Sequence, residues 1–204
     1  MTDFFALLNE PRRPWLEPDS LKEKFLAISA EVHPDRVHSA SDSEKLDAQQ
    51  RYTELNSAYH RLRDPKDRLQ HLLELELGAK PQQVQTIPAD LMNLSMHVGQ
   101  LCRETDSFLA EKARTSSPLL QVQLFERAQE CIEKLSSMQQ RINSQQAALL
   151  AELKAVDARW AESDRSDSAQ HAPLLRRLEE LYHLFGYFSR WQNQLQERIV
   201  QLSF

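Results

Sequence analysis

Apolar residues recur along this chain at spacings of three and four, with no run of two-residue alternation. Leu21, Phe25, Ile28 and Val32 fall four, three and four apart and line one face of a helix. Pro34 disfavours the helical region for His33, so that helix stops there. Its start has two solutions. Glu17 followed by Pro18 as the first helical residue is one, and a capping box of Ser20 with Glu23 is the other. Val37 to Ser43 is polar and predicts a loop. Tyr52, Leu55, Tyr59 and Leu62 then mark a second amphipathic helix, which ends at Asp64-Pro65. A short helix follows over Lys66 to Leu77, and Gly78 suits the left-handed position that closes it. The result is two antiparallel helices with His33-Pro34-Asp35 at the exposed turn between them. That arrangement presents a side chain outward and does not enclose a catalytic pocket.

Ala79 to Pro88 carries two prolines and no periodicity, and predicts a boundary. From Pro88 on, three long stripes appear. The first comprises Leu91, Leu94, Val98, Leu101, Phe108 and Leu109. The second starts near Ser117-Pro118 and reaches about Ala161, with Leu124, Ala128, Cys131, Leu135, Met138, Ile142, Leu149 and Val156, its spacing interrupted at Gln145 and Glu152. Ser163 to Ala172 is polar and predicts a loop. The third stripe is Leu174, Leu178, Leu181, Phe185, Phe188, Leu195, Ile199 and Leu202. Each stripe is wider than a two-position seam, which favours an intramolecular antiparallel three-helix bundle over an extended coiled coil or a dimer. The fold class is all-α.

Composition narrows the function. The chain has 204 residues, three glycines and a net charge of −5. That balance argues against nucleic-acid binding, which needs clustered Lys and Arg. Cys102 and Cys131 both sit in apolar helical patterns, have no metal-ligand spacing, and read as buried thiols. No secretion signal and no membrane-length apolar window is visible, so the expected compartment is the reducing cytoplasm, with no membrane partner, metal or cofactor.

The residues flanking the turn carry a family resemblance. Asp3-Phe4-Phe5-Ala6-Leu7-Leu8 looks like the short first helix of a J domain. Leu55-Asn56-Ser57-Ala58-Tyr59-His60-Arg61-Leu62-Arg63-Asp64-Pro65 is similar to that domain's third helix, and Arg68 follows where the fourth begins. The chain thus resembles DnaJ-type co-chaperones over residues 3 to about 77, and its two-part layout most resembles the HscB family of iron–sulfur cluster assembly. The resemblance implies a J domain at 1–78, a linker at 79–87 and a client-binding bundle at 88–204. It implies no enzyme activity. The expected partners are a DnaK/HscA-type ATPase chaperone and an iron–sulfur scaffold protein. His33, Pro34 and Asp35 would trigger the chaperone's ATP hydrolysis, Asp35 accepting a charge-assisted bond from a partner arginine. Lys22, Lys24 and Arg36 would supply cationic contacts, although Ala30 and Glu31 stand where many J domains carry a further cation.

On the bundle, Leu91-Met92 matches the Leu-Met pair with which HscB proteins dock the scaffold. At roughly 100° per residue, Met92 and Met96 fall away from the core stripe, which is compatible with a contact surface or with packing inside the protein. The family's glutamates after this pair are absent from Asn93 to Gln100. Tyr182, Phe185, Tyr187, Phe188 and Trp191 are too dense to share one core face. They read as core with a half-exposed rim, with a junction or client role for some of Tyr182, Tyr187 and Trp191 as the other reading. Three further functions bound the interpretation. A J protein with an unrelated client keeps the turn and changes the bundle's role. A helical hydrolase using His33 and Asp35 lacks a phosphate loop, a His-Glu-x-x-His pair and a nucleophile motif. A histidine phosphotransfer bundle fails too, since none of the seven histidines stands in a recognisable site.

Overall fold

The computed structural model describes residues 2–37, 41–81, 87–115, 118–164 and 167–203. Among them every regular element is helical: α1 (Phe4–Leu7), α2 (Pro18–Glu31), a 3-10 turn (Pro34–Val37), α3 (Asp42–Arg63), α4 (Pro65–Leu77), α5 (Ala89–Arg114), α6 (Pro118–Glu162) and α7 (Ser168–Leu202).

Local chemistry sets most boundaries. Asp3 caps α1, its Oδ1 accepting the amides of Phe5 at 3.0 Å and Ala6 at 3.3 Å. Glu17 and Pro18 open α2, which settles the two alternatives in favour of proline at the first position. Asp64 accepts the Asp67 amide at 2.9 Å to begin α4. Gly78 ends it at φ +69°, a conformation that L side chains rarely adopt.

Two boundaries differ from the sequence pattern. α3 starts at Asp42, inside the expected loop of Val37 to Ser43, because Ser41 and Glu44 form a complete capping box. Residues 38–40 of that loop lie outside the described residues. α7 starts at Ser168, inside the expected loop of Ser163 to Ala172. There Asp167 accepts the Ala169 amide on its side chain at 2.9 Å and the His171 amide on its carbonyl at 3.0 Å. Pro173 therefore sits within the second turn of α7. Gln145 and Glu152 do not interrupt α6.

The chain forms two compact units. One holds Met1–Gln82 with Ala151–His183, and the other holds Gln83–Leu150 with Leu184–Phe204. Residues expected as one bundle, 88–204, are thus divided between them. The expected linker at 79–87 lies mostly outside the described residues.

In the first unit, α1, α2, α4 and the 3-10 turn all pack on α3. Leu21, Leu55, Ala58, Leu62, Leu69 and Leu72 form the centre of that packing, each under 5 % exposed. Phe25 of α2 stacks on Tyr59 of α3 at 4.2 Å between ring centres. The end of α6 and the start of α7 belong to the same unit and form an antiparallel hairpin. Glu152 accepts from Arg177 at 2.6 Å, and the Trp160 ring lies 4.5 Å from that of His171.

The second unit is the three-helix bundle proper. Glu111 pairs with Arg127, so α6 runs antiparallel to α5. Gln192 reaches Asn143 and Gln146 while Gln196 reaches Gln139, so α7 runs antiparallel to α6. Arg198 bonds Cys102 and Asp106 while Lys112 bonds Leu202, so α7 runs parallel to α5. The core contains Leu91, Leu94, Val98, Leu135, Ile142, Phe188 and Leu195. Tyr187 and Trp191 are also buried in it, so the core reading applies to them, while Tyr182 is half-buried in the first unit. Cys102 is buried and Cys131 half-buried, and burial pushes both thiols up in pKa.

Candidate functional site

The turn between α2 and α3 is built from three constraints. The Val32 amide still bonds to Ile28 and closes α2. Pro34 then opens the 3-10 turn. The His33 ring is held against Tyr52 of α3, edge to face, at 5.2 Å. Its Nδ1 accepts the Asp35 amide at 3.3 Å, which in the neutral ring places the proton on Nε2. The Asp35 carboxylate lies 3.5 Å from the same Nδ1 and is 90 % exposed. The turn therefore offers a carboxylate to solvent on a backbone braced from below by an imidazole. Beside it, Glu31, Glu44, Asp47 and Arg51 line a cleft of about 300 Å³, so the surface flanking the turn is largely acidic.

The cationic residues are disposed unequally. Lys22 is exposed. Lys24 is drawn toward the connection after α1, with Nζ 2.9 Å from Glu10 and donating to the Asn9 carbonyl at 3.3 Å. The Arg36 side chain lies outside the described residues.

Sequence reasoning missed the polar contacts that hold the N-terminal connection. Arg68 is 2 % exposed and donates to the carbonyls of Pro14 at 2.8 Å and Leu62 at 2.7 Å. Burial pulls its pKa down to about 10. Asp157 of α6 is 5 % exposed, grips the Arg13 guanidinium with both oxygens, and accepts the Trp15 amide at 3.1 Å. The Asp157 hydrogen bond raises the Arg13 pKa. Trp160 donates its indole N–H to the Arg12 carbonyl at 3.0 Å. His71 accepts the Phe4 amide at 3.0 Å and stacks beneath Phe5, and burial lowers its pKa. Only Arg68 had drawn notice in the sequence. The partners of the others are distant along the chain and leave no periodic signal.

On α5 the three expected contact residues separate. Leu91 is 8 % exposed and joins the bundle core, whereas Met92 and Met96 are 44 % and 64 % exposed. No group of three or more His, Cys, Asp or Glu suited to a metal occurs among the described residues. No helix among them is long and apolar enough to cross a membrane.

These features define an all-α protein with a J-type helical hairpin and a three-helix bundle. No family model matches the chain. It is 34 % identical over 95 residues to the co-chaperone protein HscB homolog of Chromobacterium violaceum, covering 46 % of this chain and 54 % of that protein. It is 42 % identical over 72 residues to the HscB homolog of Bordetella pertussis, covering 35 % and 42 %. The chain thus spans about half the length of the curated relatives it matches. The chaperone HscB from Vibrio cholerae superposes with a TM-score of 0.61 at 20 % identity, over 98 % of this chain and 99 % of that one. Human co-chaperone protein HscB gives 0.60 at 16 % identity, over 97 % and 82 %. The chain is thus similar in sequence to HscB co-chaperones over the matched stretch, and similar in fold to the two HscB structures over nearly its whole length.

Proposed function

We propose that this protein is a co-chaperone of iron–sulfur cluster assembly that does no chemistry of its own. Its J-type hairpin engages a DnaK/HscA-type ATPase chaperone through His33-Pro34-Asp35, with Lys22 and Arg36 as the cationic contacts. Lys24 contributes after release from Glu10. The bundle carries an iron–sulfur scaffold protein on a surface that includes Met92 and Met96. Leu91 holds that surface in place from the core side.

The observation that carries this reading is the exposed Asp35 carboxylate on a turn braced by His33 and Tyr52, in a chain similar to proteins named HscB co-chaperones. A carboxylate so placed can accept a bidentate bond from a partner arginine without rearranging its own backbone. Asp35→Asn keeps the size and removes the charge. The expected outcome is an unchanged melting temperature with loss of ATPase stimulation, measured with an HscA-type chaperone. Stimulation equal to wild type would refute the mechanism. A second reading, delivery of an unrelated client, is favoured by the absence of acidic residues from Asn93 to Gln100. Binding of an iron–sulfur scaffold, and its loss on replacing Met92 and Met96 together by Ala, distinguishes the two.

A further inference from the structure

α5 has an outward stripe whose chemistry differs from its core face. Met92, Met96, Gly99 and Arg103 follow at four-, three- and four-residue steps and fall within an arc of about 60°. Met92 and Met96 are both exposed. Gly99 leaves space that Arg103 uses: a methyl placed there would lie 3.3 Å from the Arg103 Nη1. The guanidinium therefore folds back along the helix, toward Met96, and does not extend away from it. Ala110 and Arg114 continue the same line, and both are exposed.

No acidic residue stands on this stripe, and the neighbouring carboxylates are engaged. Glu104 accepts from Gln100 at 2.8 Å, and Asp106 accepts from Arg198 at 2.7 Å. Neither Arg103 nor Arg114 forms an ion pair among the described residues. The stripe is apolar at its start and cationic from its middle onward.

We infer that this stripe receives a partner-protein segment that pairs an apolar surface with carboxylates. Met92 and Met96 form the adaptable apolar bed, and Arg103 sets the sign of charge the partner must carry. The inference rests on the docking role proposed above for Met92 and Met96 and adds its specificity. Arg suits the task because its planar fork meets a carboxylate with two parallel bonds. Gly99 matters because it lets that fork lie against the helix, on the face that Met92 and Met96 share, so that one short segment can satisfy both.

The test uses the full chain and two synthetic amphipathic helical peptides with the same leucine positions, one bearing glutamates on its polar face and the other lysines. NMR titration follows the Met92 and Met96 methyls and the Gly99 amide. The glutamate peptide shifts them at concentrations about tenfold below the lysine peptide, and added salt narrows the gap. Arg103→Glu reverses the preference, and Arg103→Lys retains part of it. Equal shifts by both peptides, no shift by either, or a preference that survives Arg103→Glu overturns the inference. A parallel titration with an iron–sulfur scaffold protein separates the two levels. If the glutamate peptide binds and the scaffold does not, the proposed client is wrong and the charge preference stands.

Discussion

The two units bury different kinds of side chain. Among the described residues, Ser29, Arg68, His71, Glu74, Asp157 and His171 are the buried polar or charged groups of the first unit, against Thr105 alone in the second. The second unit keeps its ion pairs at the rim: Glu111 and Arg127 are both about half exposed, and Asp106 is 52 % exposed. Apolar contact is non-directional and fixes that helices meet, while hydrogen bonds in a low-dielectric interior fix where they meet. The unit that carries the Asp35 turn is thus specified by direction. The bundle is specified mainly by volume.

Substitution tests this contrast most strongly at Arg68. Arg68→Ala costs about 4 kcal/mol, from a cavity and two orphaned carbonyls, and Arg68→Met still costs about 3 kcal/mol because the carbonyls of Pro14 and Leu62 lose their donors. In the bundle, Leu135→Ala costs about 3 kcal/mol, but Leu135→Met only about 1 kcal/mol, since volume is what that site requires. Denaturant unfolding of the four variants reads both ratios. The contrast breaks if Arg68→Met proves as mild as Leu135→Met.

Acid gives the smallest effect and the sharpest distinction. His71 has a lowered pKa in the folded protein, because burial disfavours its charged form. The unfolded chain therefore takes up this proton first as pH falls. Its contribution is present above the ordinary histidine value of about 6.5 and is lost as pH drops through the folded value. Protonation at Nε2 also removes the acceptor of the Phe4 amide. The bundle unit contains only His97, which is exposed. As pH falls below the ordinary histidine value of about 6.5, the fluorescence of Trp15 should report loosening of the N-terminal connection while that of Trp191 stays unchanged. Parallel changes in both would show that His71 is not the source.

Much of this was legible in the residues. Pro65 and Gly78 mark helix ends because each acts on its own backbone, whereas Pro18 is one of two starts the residues allow and the structure selects it. The outward position of Met92 and Met96 follows from helical geometry alone. The start of α3 was missed because residues 42–51 carry no apolar stripe, although Ser41 and Glu44 spelled the cap. The start of α7 falls in a polar stretch with no apolar period, 163–172, and is set by the Asp167 cap on Ala169 and His171. Asp157 and Trp160 were invisible for another reason. Their partners Arg13, Trp15 and Arg12 lie more than 140 residues away, and no local pattern encodes such a pairing.

The capping box at Ser41 and Glu44 governs more than a boundary. The first ten residues of α3 bury almost nothing, while Leu55, Ala58 and Leu62 anchor its other half. Unwinding from the N-terminal end therefore gives up backbone hydrogen bonds but little apolar contact, so fraying there is far easier than at the anchored end. His33 leans on Tyr52, the first residue beyond that loose stretch, so the brace under the turn draws on the anchored half of α3. Asp35 accordingly takes its aim from the half of the helix that resists unwinding, and the cap at Ser41 and Glu44 secures the half that does not.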